Sequence, residues 1–216
     1  MEVIHMRRDA GQISDQSKTD IRRELRLKRC GLPSTLRFEH DHAIGQHFYQ
    51  LVKTHCADSI ACFWPFDGEP DITPVYQRLM SEGCTLALPV ISPDDDHSMR
   101  FHSWSENTEM GKNRYGIPEP IESAPISISR LDMLVMPLVG YDRLGNRVGM
   151  GAGYYDRYLE PVRTLATPLR VGIAYSIQKT GPITTNPWDI SLHGIVNERG
   201  WFTFVGEEPL TDIQED

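Results

Sequence analysis

From Ser17 onward the chain alternates stretches of helical periodicity with short, nearly unbroken apolar runs. Residues 17–30, "SKTDIRRELRLKRC", read as a helix: Ser17 with Asp20 three positions on resembles a capping box, and Gly31 and Pro33 supply the stop. A second helix is predicted over 39–55. "SIACFWPF", 59–66, is rich in strand formers and is ended by Pro65 and Gly68. Residues 73–83 read as a helix stopping at Gly83, and 84–90 as a strand. "LDMLVMPLV", 131–139, is apolar almost throughout, as expected of a strand buried on both faces. A helix broken near Pro161 follows over 154–165, then a buried strand over 169–176 and a last strand within 194–205.

Strands alternating with helices predict an α/β fold: a single-domain, three-layer sandwich around a mostly parallel sheet. No internal repeat is visible. The domain is expected over 17–205. Residues 1–16 read as a flexible arm and 206–216 as an acidic, flexible tail.

Composition narrows the class. The chain has 216 residues, enough for one ordinary domain, and 39% hydrophobic content with no run of the roughly 18 apolar residues that a membrane helix requires. No apolar core like that of a signal peptide opens it, so a cytoplasmic location is expected. The net charge of -8 argues against a nucleic-acid partner but leaves room for a local cationic pocket. Cys30, Cys56, Cys62 and Cys84 form no CxxC pair and read as buried thiols rather than zinc ligands. The eight histidines include no HExxH pattern. No nucleic acid, membrane or second protomer is expected as a partner.

One segment carries most of the candidate chemistry: "GNRVGMGAGYYDRYL", 145–159. Glycines cost backbone entropy and are tolerated where the chain turns tightly or lies against something. This turn falls between a predicted strand and a predicted helix, where α/β sheets place their functional loops. A glycine-rich turn entering a helix offers bare amides to an anion, and phosphate is the commonest. The spacing matches neither a dinucleotide fingerprint nor a Walker A loop. A purely structural turn would explain the glycines alone. Arg147 adds a cation able to fork onto phosphate, and Asp156 a hard oxygen ligand suited to Mg²⁺.

The run "VMPLVGYDRLGNRVGMGAGYYDRYL" resembles the signature of the 5-formyltetrahydrofolate cyclo-ligase (methenyltetrahydrofolate synthetase) family. Pro137, Tyr141, Asp142, Gly145, Arg147, Gly149, Gly151, Gly153, Tyr154, Tyr155, Asp156, Arg157 and Leu159 match, while Val148 and Ala152 are departures. Lys18 and Arg22 match the family's opening Lys-x-x-x-Arg, and "FDGEPDITP" resembles its substrate segment through Glu69 and Asp71. "MRFHSW" and "GKNRYGIPEP" match further elements, with Trp104, Tyr115 and Glu119 of interest. Gly172, Ala174 and Gln178 match a later element. "PWDISLHGIVNERG" places Asp189 on an acidic position and departs at His193 and Asn197. The resemblance covers about residues 16–202.

That resemblance implies a Rossmann-like fold of the isomerase/CoA-transferase-like group and ATP-dependent closure of 5-formyltetrahydrofolate to 5,10-methenyltetrahydrofolate. It implies ATP contacts from Lys18, Arg22, Arg147, Val148, Gly149, Met150, Gly151, Ala152, Gly153, Tyr154 and Tyr155, with Lys18 and Arg147 as the catalytic cations. Substrate contacts are implied for Phe66, Glu69, Trp104 and Tyr154, and Mg²⁺ ligation for Asp156 and Asp189. Read without the resemblance, Lys18 and Arg22 are a solvated pair on one helix face, Glu69 is a turn carboxylate and Trp104 packs the core. A non-catalytic paralogue that binds nucleotide or folate as a regulator is the alternative; losing Lys18 or the two acids would favour it. A sugar-phosphate isomerase or acyl-CoA transferase would leave the Gly-Tyr-Tyr-Asp-Arg run unexplained.

Overall fold

The computed structural model describes residues 17–94 and 97–204; the arm and the acidic tail lie outside them. In chain order the elements are α1 (Lys18–Cys30), α2 (Ser34–Thr54), β1 (Ser59–Ala61), α3 (Thr73–Ser81), β2 (Thr85–Ile91), β3 (Met99–Trp104), β4 (Met110–Lys112), β5 (Pro118–Pro120), β6 (Pro125–Ile126), β7 (Met133–Pro137), β8 (Gly140–Tyr141), β9 (Arg147–Val148), α4 (Tyr154–Leu159), β10 (Leu169–Ile173), β11 (Gly194–Asn197) and β12 (Gly200–Thr203). The main sheet has eight strands in the order β12-β11-β10-β7-β1-β2-β3-β6. The neighbours β11-β10-β7-β1-β2 pair in parallel, and β12, β3 and β6 extend the edges antiparallel.

Alternation along each central strand divides the core into two layers. Ile60, Leu86, Leu88, Met133, Val135, Val171, Ile173 and Val196 face α2 and α3, meeting Ile44, Phe48, Leu51, Tyr76 and Leu79. Ala61, Ala87, Leu134, Met136 and Ile195 face the other way, toward Leu159 of α4 and Val162. A strand covered on both faces has no polar side, which is why 131–139 reads as an unbroken apolar run. Gly172 sits on the α4 side, where a Cβ would lie 2.6 Å from Ile195 Cδ1 and 2.7 Å from Leu192 Cδ1, so this layer closes tightly on the sheet.

The helix α1 covers neither face. It packs on the β8–β9 hairpin and the 176–178 turn, beyond the carboxyl ends of β7 and β10. Ser17 caps it, its Oγ accepting from the Asp20 amide at 3.2 Å. Its buried positions are Ile21, Leu25 and Arg29, spaced at i, i+4 and i+8 along one stripe.

Of the four cysteines expected to be buried, only Cys62 is; Cys84 is half-buried and Cys30 and Cys56 are exposed. Several predicted elements differ in extent. The second helix begins at Ser34, with Pro33 as its cap residue, because proline at a helix boundary is tolerated where no amide bond is lost. The predicted last strand is a hairpin, β11 and β12, turning over Glu198 and Arg199. The helix at Tyr154 is only six residues long and passes into a 3₁₀ turn at Glu160–Val162, the Pro161 position.

His193 stands at one of the departures noted in the sequence. Its Nδ1 lies 2.9 Å from the Arg170 amide nitrogen and its Nε2 2.7 Å from Arg170 Nη2. Burial first, and the guanidinium second, push the imidazole down to about 4. An unfolded histidine binds its proton near pH 6.5, so between about 6.5 and 4 the unfolded chain takes up protons that the folded one refuses. Stability therefore falls as pH drops through that window. Urea midpoints measured across the window are expected to decline in the parent protein. In His193→Asp, which supplies Arg170 with an anionic partner, the decline is expected to move to lower pH.

Candidate active site at the carboxyl ends of the parallel strands

The chain runs from β1 to β2 on one side of the sheet centre and returns to β7 on the other, so the strand order reverses between β1 and β7. Open α/β sheets form their ligand crevice outside such a reversal. A cavity of about 970 Å³ lies there. Its walls come from the residues following β1 (Phe63, Trp64, Phe66, Glu69), the end of β2 (Pro89, Ile91), the end of β7 (Pro137, Leu138), the turn 147–157, and Asn186, Trp188 and Asp189. From α1 come Lys18 and Arg22, one helical turn apart on one face.

The glycine-rich turn is pinned by arginines. Arg22 Nε donates to the Gly149 carbonyl at 2.7 Å and Arg157 Nη1 to the Ala152 carbonyl at 2.6 Å. Two glycines need their backbone freedom: Gly151 lies at φ +111° and Gly153, the cap of α4, at φ +72°, where L side chains are strained. A Cβ at Gly151 would have its nearest neighbour, Arg22 Cζ, at 3.8 Å, so the constraint there is conformational rather than steric. Asp142 anchors the preceding turn. Almost fully buried, its carboxylate accepts from the Leu144, Asn146 and Ile183 amides and from the Asn146 side chain. Because α4 is so short, its dipole is a minor source of positive potential. The turn owes its positive field to Lys18, Arg22 and Arg147, in a chain that is acidic as a whole.

The two predicted acids sit among these cations. Arg147 Nη2 donates to Asp156 Oδ1 at 2.8 Å, and the Ile190 amide donates to the same oxygen at 3.1 Å. Lys18 Nζ pairs with Asp189, whose Oδ2 also accepts from the Asn186 amide at 2.7 Å. Burial pushes the Asp189 carboxyl up, but the Asn186 amide, Lys18 and Arg147 outweigh it and hold the group below the usual carboxylate range. Among the described residues no three His, Cys, Asp or Glu side chains converge. Two carboxylates without a third suit Mg²⁺, which commonly completes its shell with phosphate oxygens and water. The buried Arg147 Nε has no hydrogen-bond partner among the described residues.

Glu69 occupies another part of the same cavity. It closes a tight turn, its amide donating to the Phe66 carbonyl at 3.0 Å and its Oε2 accepting from the Phe66 amide at 3.1 Å. The central residues Asp67 and Gly68 both have positive φ, +52° and +77°, the type I′ pattern that Asp-Gly suits. Burial pushes the Glu69 carboxyl up to about 7, against the opposing pull of Arg29 and the Phe66 amide. The Tyr155 hydroxyl is buried without a partner among the described residues, and burial, then Glu69, push its pKa up. Tyr154 lies at the rim, where its hydroxyl is 3.0 Å from Arg114 Nη2 and 3.2 Å from the Tyr115 hydroxyl.

Of the predicted site residues, all but Trp104 line this cavity. Trp104 stands behind the wall, its ring edge-on to Trp64 and Tyr76 at 5.9 and 6.2 Å between centroids. Trp64 presents the aromatic surface instead, a residue the sequence reading passed over within a presumed strand. Trp188 and Ile117 were missed likewise. Glu119, noted in the sequence, accepts from the Ile91 amide at 3.2 Å and so fastens the β4–β5 hairpin to β2.

Comparison with known proteins identifies the family. The sequence model of the 5-formyltetrahydrofolate cyclo-ligase family matches residues 14–198. A 5-formyltetrahydrofolate cyclo-ligase of Haemophilus influenzae is 32% identical over 186 residues, 85% of this chain and 99% of that protein. One from Escherichia coli K12 is 36% identical over 73% of this chain and 90% of its own. The solved structure of the Aquifex aeolicus 5,10-methenyltetrahydrofolate synthetase superposes with a TM-score of 0.76 at 26% identity, covering 91% of this chain and 97% of that one. That of the Mycoplasma pneumoniae enzyme gives 0.70 at 25%, covering 85% and 99%. With a matched glycine-rich turn, a matched fold and relatives spanned nearly end to end, this chain belongs to the 5-formyltetrahydrofolate cyclo-ligase family.

Proposed function

We infer that the protein is a 5-formyltetrahydrofolate cyclo-ligase, consuming ATP to close 5-formyltetrahydrofolate to 5,10-methenyltetrahydrofolate with release of ADP and phosphate. One observation carries the reading: a single cavity joins a cation-lined glycine turn to a buried carboxylate among Trp64, Phe66 and Phe63. The turn suits a polyphosphate. The carboxylate and rings suit a flat heterocycle with an N–H edge.

The chemistry explains why no nucleophilic side chain is needed. A formamide oxygen is a poor leaving group. Transfer of the γ-phosphoryl to that oxygen gives an iminium phosphate at N5. N10 then attacks the formyl carbon, losing its proton as the ring closes, and the oxygen departs within phosphate. Phosphoryl transfer asks chiefly for positioning and charge neutralisation. Lys18, Arg22 and Arg147 neutralise the phosphates, and the turn from Val148 to Gly153 lies against them. Arg147 reaches this region already oriented by Asp156, and its unpartnered Nε is a buried donor awaiting an acceptor. Asp156 and Asp189 would hold Mg²⁺, which would supply further charge neutralisation. Glu69 accepts from the donor edge of the pterin. Tyr154 meets Tyr115 edge-on at the rim, 6.4 Å between centroids.

Pure protein incubated with ATP, Mg²⁺ and 5-formyltetrahydrofolate should develop the methenyl chromophore. A protein that binds both ligands but forms no chromophore is the regulatory paralogue instead. Gly151→Val should stay folded, losing about 1–3 kcal/mol of stability to backbone strain, and should bind ATP poorly because the amides turn away. Circular dichroism and nucleotide titration on one sample check both halves; a folded variant with parental ATP affinity would remove Gly151 from the cradle. Asp156→Asn should lower kcat strongly even at saturating Mg²⁺. It should also lose about 1–3 kcal/mol of stability, since Arg147 is buried and loses its charged partner. Near-parental turnover would exclude Asp156 as a ligand.

A further inference from the structure

The turn that presents Glu69 is organised around a guanidinium with no solvent access. Arg29 is 0% exposed. Its Nη1 donates to the Leu138 carbonyl at 3.1 Å and its Nη2 to Asp67 Oδ2 at 2.9 Å. The same Nη1 lies 3.8 Å from Glu69 Oε1. Arg26 forks onto Asp67 from the helix surface at 2.8 and 3.1 Å. Arg37 of α2 donates to the Gly68 and Arg29 carbonyls, both at 2.9 Å, clamping the turn from the other side. One buried cation thus faces two carboxylates. Asp67 is bonded to it directly and shares a second cation. Glu69 faces the cavity and has only the longer contact.

We propose that Arg29 is a positioning residue for the pterin end of the substrate: divided between Asp67 and Glu69, it orients the Glu69 carboxylate toward the cavity and favours its charged, accepting form. This rests on Glu69 being the acceptor of the pterin's donor edge. Only the ionised carboxylate can accept two N–H donors; a protonated one turns an O–H against them. Desolvation opposes ionisation, Arg29 and the Phe66 amide favour it, and the like charge of Asp67 opposes it. The Tyr155 hydroxyl faces Glu69 from α4 and adds no charge while protonated. Arg26 acts through Asp67, holding that carboxyl below its usual range through its hydrogen bonds.

The two neighbours of Glu69 therefore push in opposite directions, which a merely structural role would not do. The test is calorimetric titration of 5-formyltetrahydrofolate, without ATP, from about pH 5 to about pH 9, a span bracketing an ordinary and a raised carboxylate. The parent's affinity should fall as pH drops through about 7. Arg29→Met should move that midpoint up by about one pH unit or more, because an opposite charge has gone. Asp67→Asn should move it down, since a like charge is lost and Arg29 is left to Glu69. Arg29→Lys should stay nearer the parent than Arg29→Met. ATP affinity should be unaffected in all three. Affinity lost equally at every pH, with the midpoint fixed, would overturn the proposal. If Arg29→Met does not fold, Asp67→Asn decides alone, and an unmoved midpoint there overturns it. Glu69→Gln separates the premise: weak folate binding without the pH dependence supports the acceptor role, whereas parental affinity sinks that role and the proposal with it.

Discussion

A helix face that carries cations into a protein interior must find acceptors for them, and the architecture of this site follows from how α1 does so. Lys18, Arg22 and Arg29 fall at i, i+4 and i+11, with Ile21 and Leu25 anchoring the same side of the helix against Val139, Val148 and Ile183. Each cation ends on something the site needs held. Lys18 meets Asp189, Arg22 the Gly149 carbonyl, and Arg29 both the Leu138 carbonyl and Asp67. Removing water from a charge is costly unless charge-assisted hydrogen bonds replace it, so these contacts are obligatory once Ile21 and Leu25 have docked. One helix thereby registers the glycine-rich turn, the 186–189 loop and the Glu69 turn to each other.

The same arrangement separates two electrostatic environments within one cavity. Around Gly149–Gly153 positive groups converge, and the local acids Asp156 and Asp189 are each paired with a cation. Around Glu69 the walls are aromatic and the carboxyl is pushed up by burial. A polyanion and an N–H-rich heterocycle are thus offered different chemistry at neighbouring positions. Tyr155, with an unpartnered hydroxyl within electrostatic reach of both Glu69 and Arg147, belongs to the region where the two would meet.

The strand order explains why these pieces gather where they do. The sheet reverses direction of growth between β1 and β7, so the segments leaving both strands splay apart and leave a crevice. Small residues on the α4 side, Ala61, Ala87 and Gly172, let the covering layer approach closely. Tyr155 and Tyr158 pack with Phe101 there, which fixes the far end of the short helix carrying Asp156.

Much of this was legible in the sequence because it is local. Apolar runs marked the buried strands, Ser17 marked the start of α1, and the spacing of Gly149, Gly151 and Gly153 marked a turn needing positive φ, found at two of the three. The family resemblance added the candidate residues, and the structure gathers all but one of them around a single cavity. What the sequence left open depended on distance in space. Trp104 and Trp64 are both apolar aromatics in strand-like surroundings, and only the packing of β1 against β2 and β3 decides which faces the cavity. The helix predicted over 154–165 breaks where Pro161 marked it, passing into a 3₁₀ turn at Glu160–Val162. Nothing local distinguishes Arg29 from the other cations of a basic helix. Its burial, and with it the coupling of α1 to Glu69, is created only when Asp67, Leu138 and Arg29, far apart in the chain, are brought within hydrogen-bond reach, a long-range constraint that no window of residues contains.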